Sequence, residues 1–365
     1  MVTKDPLTFA DWVETAFLPM HTDICRILKI SLPLLLSPLA GGPGTPQLAA
    51  NVSNSGGLGS LACAYHNGDQ IRSAIRQTKQ LTGKPFAVNI FVHNDHLERQ
   101  FSVEEWKVAI DRIRKRYTPV AVELEVETGE KIRVENDSVE SFLKNFRLPS
   151  MEEQLHVILE EKPPVFTFTF GLLSSGWVQR FHSKNILVLT LFPFREPRLV
   201  DTEEVFISMQ IIRQPDIVLL SNWKLCYWTV YLQIRSLLRK GASGVQLGTL
   251  FMTCKEAGTS AIHRQILQTA KPSDTTITSC FTGRSARGYR NRVVDYMESF
   301  GSEFLPFPYQ SGITRGIGNH AAKYLPAIRA ANFMQLWMGQ SVPVKHNSGA
   351  NELIEVLRRE WLDSD

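Results

Sequence analysis

Short apolar runs punctuate the chain, and polar stretches with helical spacing separate them. Leu32-Pro-Leu-Leu-Leu-Ser-Pro38, Leu58 to Ala62, Phe86 to Val92, Val165 to Phe170 and Ile186 to Phe192 are each nearly continuous in apolar residues. A strand that is apolar along its whole length is buried on both faces, the condition of a parallel sheet clothed by helices. Stretches around Asp69 to Leu81 and Val230 to Lys240 have the spacing of amphipathic helices. The alternation predicts a parallel α/β domain, as a barrel or a doubly wound sheet.

Turn chemistry sharpens the boundaries. Gly41-Gly42-Pro43-Gly44 closes the first apolar run. Thr45 then suits a helix N-cap, because its hydroxyl can accept an orphan backbone N–H, and Pro46 suits the first turn, where its missing N–H costs nothing. Gly56-Gly57 ends that helix. Residues from about 95 to 162 break the alternation with charged stretches, including Glu104-Glu105-Trp106 and Arg112 to Arg116, and read as solvated helices joined by loops. Beyond Cys254 the pattern is mainly helical, with an Arg-rich loop at Gly283 to Arg292 and a closing amphipathic helix near Asn351 to Trp361. The expected division is a barrel domain over 1–253, carrying the 95–162 excursion, and a helical region over 254–365 that covers the mouth and completes the fold.

Composition narrows the class. At 365 residues and 43% hydrophobic the chain can bury one large core. A formal charge of +4 without blocks of like charge gives nucleic acid no handle. Five scattered cysteines lack close CxxC spacing and read as reduced thiols of a cytoplasmic protein, with no metal site. The N-terminus lacks the pattern of a secretory signal, and the apolar stretch Ile30 to Ala40 is too short to span a bilayer, so no membrane association is expected. The oligomeric state is left open.

Candidate chemistry gathers at two places. In Gly241-Ala-Ser-Gly-Val-Gln-Leu-Gly-Thr249 small residues flank a short strand, where a phosphate can approach backbone N–H groups that a bulky side chain would block. By residue types alone a close-packed strand-to-helix turn is an equal reading. Asn89 is the one polar side chain inside Phe86 to Val92; its amide can both donate and accept, or simply tie down a neighbouring loop.

The string GASGVQLGT resembles the FMN-phosphate segment of the nitronate monooxygenase (2-nitropropane dioxygenase) family. The run PLLLSPLAGGPGTPQLAANVSNSGGLG, ending at Gly59, is similar to the family's opening strand, helix and Gly-rich turn. The resemblance extends over most of residues 30–95, 163–195 and about 236–342. It implies a (β/α)8 TIM barrel, with one βα unit compressed or missing and an added helical region. It also implies FMN against Ser37, Pro38, Leu39 and Ala40, a flavin hydrogen bond from Asn89, and phosphate binding by Gln246, Leu247, Gly248 and Thr249. Thr278 to Asn291, TSCFTGRSARGYRN, resembles the family's Ser-Gly-Arg, Ala-Arg-Gly and Asn pattern, with Thr282 where a serine is usual. Arg284 and Arg287 are secondary candidates there. Gln335 to Gln340 resembles a late family helix ending in Trp-x-Gly-Gln, with Trp337 read as core.

The interval 194–231 departs from the family. It contains neither histidine nor glycine, where the family carries a Gly-Gly-His loop and a further Gly-Gly turn. Asp216 to Leu220 reads as one of the lost strands. The family histidine acts near the flavin as a base or polar partner, a task suited to imidazole. No residue aligns with it; His66, His93 and His182 are read as structural, and the catalytic residue is unassigned. The implied activity is FMN-dependent oxidation of alkyl nitronates by dioxygen to a carbonyl compound and nitrite. The competing readings are a degenerate relative without catalysis, an FMN-dependent enoyl reductase, and a barrel binding some other phosphorylated ligand.

Overall fold

The computed structural model describes residues 22–93, 101–132, 138–194, 206–212, 217–219, 234, 238, 242–301 and 303–362. A short helix α1 (Asp23–Leu28) leads into strand β1 (Leu34–Leu36), helix α2 (Pro46–Asn54), β2 (Gly59–Ala62), α3 (Gly68–Leu81) and β3 (Phe86–Phe91). Three helices follow, α4 (Val103–Thr128), α5 (Val139–Phe146) and α6 (Met151–Glu161), then β4 (Val165–Thr169), α7 (Ser175–Ser183) and β5 (Leu187–Phe194). Strands β6 (Phe206–Ile212), β7 (Ile217–Leu219) and β8 (Val245–Leu247) come next.

The expected caps are present. The Thr45 hydroxyl accepts the Leu48 N–H at 3.0 Å, with Pro46 in the first turn of α2. Helix α3 starts on a reciprocal pair in which Asn67 and Gln70 each accept the other's backbone N–H at 3.0 Å.

Strands β2, β3, β4 and β5 run parallel in that order, and β8 pairs parallel with β1. A parallel bridge between Leu35 and Leu58 joins β1 to β2, so one continuous parallel run reads β8-β1-β2-β3-β4-β5. Alternation then sorts the side chains. Leu61, Val88, Phe166 and Val188 pack among residues of α3, α6 and α7. Leu35, Leu58, Ala87, Val165 and Leu189 face the other way and meet Ile24, Cys25 and Leu28 of α1, which fills this inner face. At Gly59 a Cβ would lie 1.8 Å from the Ala49 carbonyl oxygen, so α2 sits on β2 at a distance only glycine permits.

After β5 the direction changes. β6 pairs antiparallel with β5, and β7 antiparallel with β6. Ile217–Leu219 is therefore a strand, but not a parallel member of the run as the sequence suggested; Asp216 and Leu220 lie outside the described residues. Of the expected helix Val230 to Lys240, Ile234 and Leu238 are described; both are helical and buried against β1 and β8 residues.

The 95–162 excursion is helical, yet α4 is not simply solvated. Trp106, Ile110, Ile113, Tyr117, Val120 and Leu124 form a buried stripe against Phe281, Val293, Leu305 and Phe333. The C-terminal region also holds more strand than expected. It contains α8 (Ala261–Thr269), a hairpin of β9 (Thr275–Thr278) and β10 (Ala286–Tyr289), α9 (Arg292–Glu298), α10 (Ser311–Tyr324), α11 (Ala327–Ala330) and α12 (Ala350–Leu362). Residues 335–340 are extended rather than helical, because Trp337 bridges to Gly288 at the hairpin edge. No helix among the described residues is long and apolar enough to cross a membrane.

Candidate functional site

The Ser37–Ala40 and Gln246–Thr249 segments meet at the carboxyl ends of β1 and β8, while Asn89 lies on β3, two strands from β1. Leu36 stands beside Leu247 in register, and one residue further the Ser37 N–H donates to the Leu247 carbonyl at 2.8 Å. Ser37, Pro38, Leu39 and Ala40 are half-buried, as are Leu247, Gly248 and Thr249. A Cβ on Gly248 would lie 3.4 Å from the Ser37 side chain and 3.6 Å from Leu39, so the two segments touch across a bare backbone. The Thr249 hydroxyl accepts the Gly339 N–H at 2.8 Å and anchors residue 339 beside this turn.

Gln246 is buried and pairs with Leu35, which puts it on the inner face. Asn89 lies on the same face, level with Ala62 and Thr167. Its Nδ2 donates to the hydroxyls of Thr167 at 2.9 Å and Thr169 at 3.2 Å. The amide thus ties β3 to the adjacent strand β4, rather than to a neighbouring loop.

The donor set suits a phosphorylated flavin. In the loop after β1, Gly41 has φ +84° and no atom within 4 Å of where a Cβ would stand, while Gly42 has φ +128° with its nearest neighbour at 3.9 Å. Open space beside the backbone lies at Gly41 and Gly42, whereas Gly248 is in contact with Ser37 and Leu39. Pro38, Leu39 and Ala40 offer apolar surface for a ring.

Sequence reasoning missed an aromatic group over the ends of β3 and β4. The Phe91 ring lies 4.9 Å from Phe170, 5.9 Å from Phe307 and 5.8 Å from Tyr65. The Arg284 guanidinium stands over Phe170 at 3.7 Å from the ring centre and 5.4 Å from that of Phe307. The one available signal was Arg284 itself; the rings come from segments too far apart in sequence to be associated. Arg287, by contrast, is held in the hairpin, where it donates to the Thr275 hydroxyl at 3.1 Å.

The histidines are distributed differently. His66 follows β2 and keeps a buried Nδ1 without a partner, and burial lowers its pKa. His93 follows β3, with Nδ1 3.1 Å from the Phe91 carbonyl oxygen. His182 sits in the last turn of α7. Among the described histidines, His263 in α8 is the one whose pKa burial lowers most, to about 4. Burial pushes the Cys63 and Cys254 thiols up to about 12 and Cys280 to about 11, which excludes a resident thiolate at those positions near neutral pH. No cluster of metal-ligating side chains occurs among the described residues.

Fold and site together define a parallel α/β protein of the (β/α)8-barrel type with its candidate ligand site at the carboxyl ends of the strands. The chain belongs to the nitronate monooxygenase family, whose model matches residues 22–193 and 231–360. The match lapses over the interval where β6 and β7 depart from the parallel order.

Among relatives, a probable nitronate monooxygenase of Staphylococcus saprophyticus is 24% identical over 92% of this chain and 96% of its own. One from Staphylococcus aureus is 25% identical over 91% and 94%. Among solved structures, nitroalkane oxidase from Streptomyces ansochromogenes superposes with TM-score 0.67 at 22% identity, over 93% of this chain and 98% of that one. FabK from Thermotoga maritima superposes with TM-score 0.58 at 19% identity, over 94% and 97%. At these identities the superpositions speak to the fold alone.

Proposed function

We propose that this chain binds FMN at the strand ends formed by Ser37–Ala40, Asn89 and Gln246–Thr249, and that it oxidises alkyl nitronates with dioxygen to a carbonyl compound and nitrite. The observation that carries the reading is the 2.8 Å hydrogen bond from Ser37 to Leu247, which brings the two flavin-like segments edge to edge. Family membership supports the reaction class.

When bound, the flavin supplies the electron transfer from nitronate and the reaction with dioxygen. The chain's own residues hold and enclose. Backbone N–H groups near Gly248 and Thr249 receive the phosphate, Pro38 to Ala40 support the ring, and the Asn89 amide meets a flavin edge. Residues 254–365 cover the mouth and limit bulk water. A nitronate is already a carbanion equivalent, so the chemistry does not require a resident base. We set the reaction in the cytoplasm, in keeping with Cys63, Cys254 and Cys280, which form no disulfide among the described residues.

A second reading is a relative that keeps the fold and has lost catalysis. The antiparallel β6 and β7, set where parallel strands would continue the run, favour it. The visible spectrum of freshly purified protein, with chromophore released by heat and identified, separates the two. Near-stoichiometric FMN with nitrite formed from propane-2-nitronate supports the oxidase. A colourless, folded protein that fails to bind added FMN supports the degenerate relative. Consumption of NADH or NADPH with an enoyl thioester, without nitronate turnover, would instead assign an enoyl reductase.

A further inference from the structure

We propose that Arg284 is the group that recognises the anionic head of the substrate, a planar oxyanion such as a nitronate or carboxylate. The identity of that substrate as a nitronate rests on the function proposed above; the anion site itself rests on the geometry around Arg284.

Arg284 is exposed, but the backbone of its loop is held at several points. Gly283 before it has φ +80°, and a Cβ there would lie 2.0 Å from the Leu305 carbonyl oxygen, so the loop is pressed onto the 305–307 backbone. The Cys280 carbonyl accepts from the Tyr117 hydroxyl at 2.6 Å and from the Gln310 amide at 2.8 Å. The Phe281 carbonyl accepts from the Thr314 hydroxyl at 2.8 Å, and the Arg284 carbonyl from the Thr282 hydroxyl at 3.1 Å. Helix α4 and the start of α10 thus hold the loop from behind.

The guanidinium that this loop delivers has no carboxylate. Arg72 and Arg76 pair with Glu161, Arg116 with Glu303, and Arg290 with Asp295. Among the described residues Arg284 forms no ion pair and no side-chain hydrogen bond; it stacks on Phe170 and Phe307. Stacking on a ring face fixes the plane of the cation and leaves its N–H edge available. That edge matches the two coplanar oxygens of a nitronate or carboxylate.

Its stacking on Phe170 puts the guanidinium over the end of β4. Phe170 follows β4, one residue past the Thr169 hydroxyl bonded to Asn89, whereas the Gly248–Thr249 turn follows β8, beyond β2 and β1 in the sheet. Tyr65, edge-on to Phe91, adds a phenol whose pKa is raised by burial, with Arg315 opposing that shift.

The test uses purified full-length protein with isobutyrate, a carboxylate with the heavy-atom connectivity and two-oxygen head of propane-2-nitronate, and the neutral isobutyramide as control. Wild type is expected to gain thermal stability with isobutyrate and not with isobutyramide, and Arg284→Gln, whose Tm without ligand falls slightly with the lost stacking, to show no gain with either. Where nitronate turnover is present, Arg284→Gln should raise KM about ten- to a hundredfold, the loss of one charge-assisted hydrogen bond, with little change in kcat. Phe170→Leu, which keeps the charge and removes its platform, should fall between. Equal responses to acid and amide, or an undiminished isobutyrate response in Arg284→Gln, would overturn the proposal. A protein without FMN that still shows the Arg284-dependent response would refute the proposed function and leave the anion site standing.

Discussion

Asn89 and Thr167 join β3 to β4 through a 2.9 Å hydrogen bond from the amide nitrogen to the hydroxyl, and both side chains are buried on the inner face. A second bond, to Thr169 at 3.2 Å, carries the amide toward the carboxyl end of the sheet. One side chain thereby ties two strands of the sheet, and in the proposed function the same amide would also meet a flavin edge. Separate substitutions distinguish the roles.

Thr167→Val removes one acceptor and leaves Thr169. We expect stability to fall by about 1 kcal/mol, the net worth of a neutral hydrogen bond, with FMN content unchanged. Asn89→Leu should lower FMN content as well as stability. Urea unfolding and released FMN per chain are the readouts, and an Asn89→Leu protein with wild-type FMN content would remove the amide from the ligand site.

Gly59→Ala places a methyl group 1.8 Å from the Ala49 carbonyl oxygen. Helix α2 would have to lift off β2 and disturb Leu48 and Val52 beneath it. The expected loss is about 3 kcal/mol, at the upper end for an overpacked core. Urea unfolding measures it, and a wild-type midpoint would mean that α2 is not seated on β2 as described.

Tyr117→Phe deletes one of two donors to the Cys280 carbonyl. Gln310 still serves that oxygen, so the cost should be about 1 kcal/mol. Gln310→Met is expected to cost more, about 2 kcal/mol or above, because it also strips the Leu305 N–H of its acceptor at 3.0 Å. A reversed ranking in denaturant would show that Tyr117, not Gln310, holds the loop.

His263 predicts a pH dependence. Burial lowers its folded pKa from 6.5 to about 4, so between those values the unfolded chain binds a proton that the native chain does not. Stability contributed by the neutral ring is therefore full above pH 6.5 and declines as pH falls toward 4, by about 3 kcal/mol at most. A His263→Gln variant should show a flatter profile of unfolding free energy from pH 7 to 4.5. Identical slopes for variant and wild type would contradict the assignment.

Continuous apolar runs, the Thr45-Pro46 helix start and the small residues before Thr249 could all be read from the chain, because burial on both faces, capping and close backbone approach act over a few residues. The α4 stripe was legible too: Trp106, Ile110, Ile113, Tyr117, Val120 and Leu124 recur at helical spacing, but the surrounding charges masked them. Other features were settled only when distant segments met. An apolar run reads the same in either direction, so the antiparallel course of β6 and β7 came from their pairing with β5. Residues 335–340 became extended because Gly288, without a side chain, let Trp337 lie against the hairpin. The grouping of Tyr65, Phe91, Phe170, Arg284 and Phe307 depends on five chain segments converging above one end of the sheet. Stacking of this kind is a property of distances in space, and local periodicity carries no record of it.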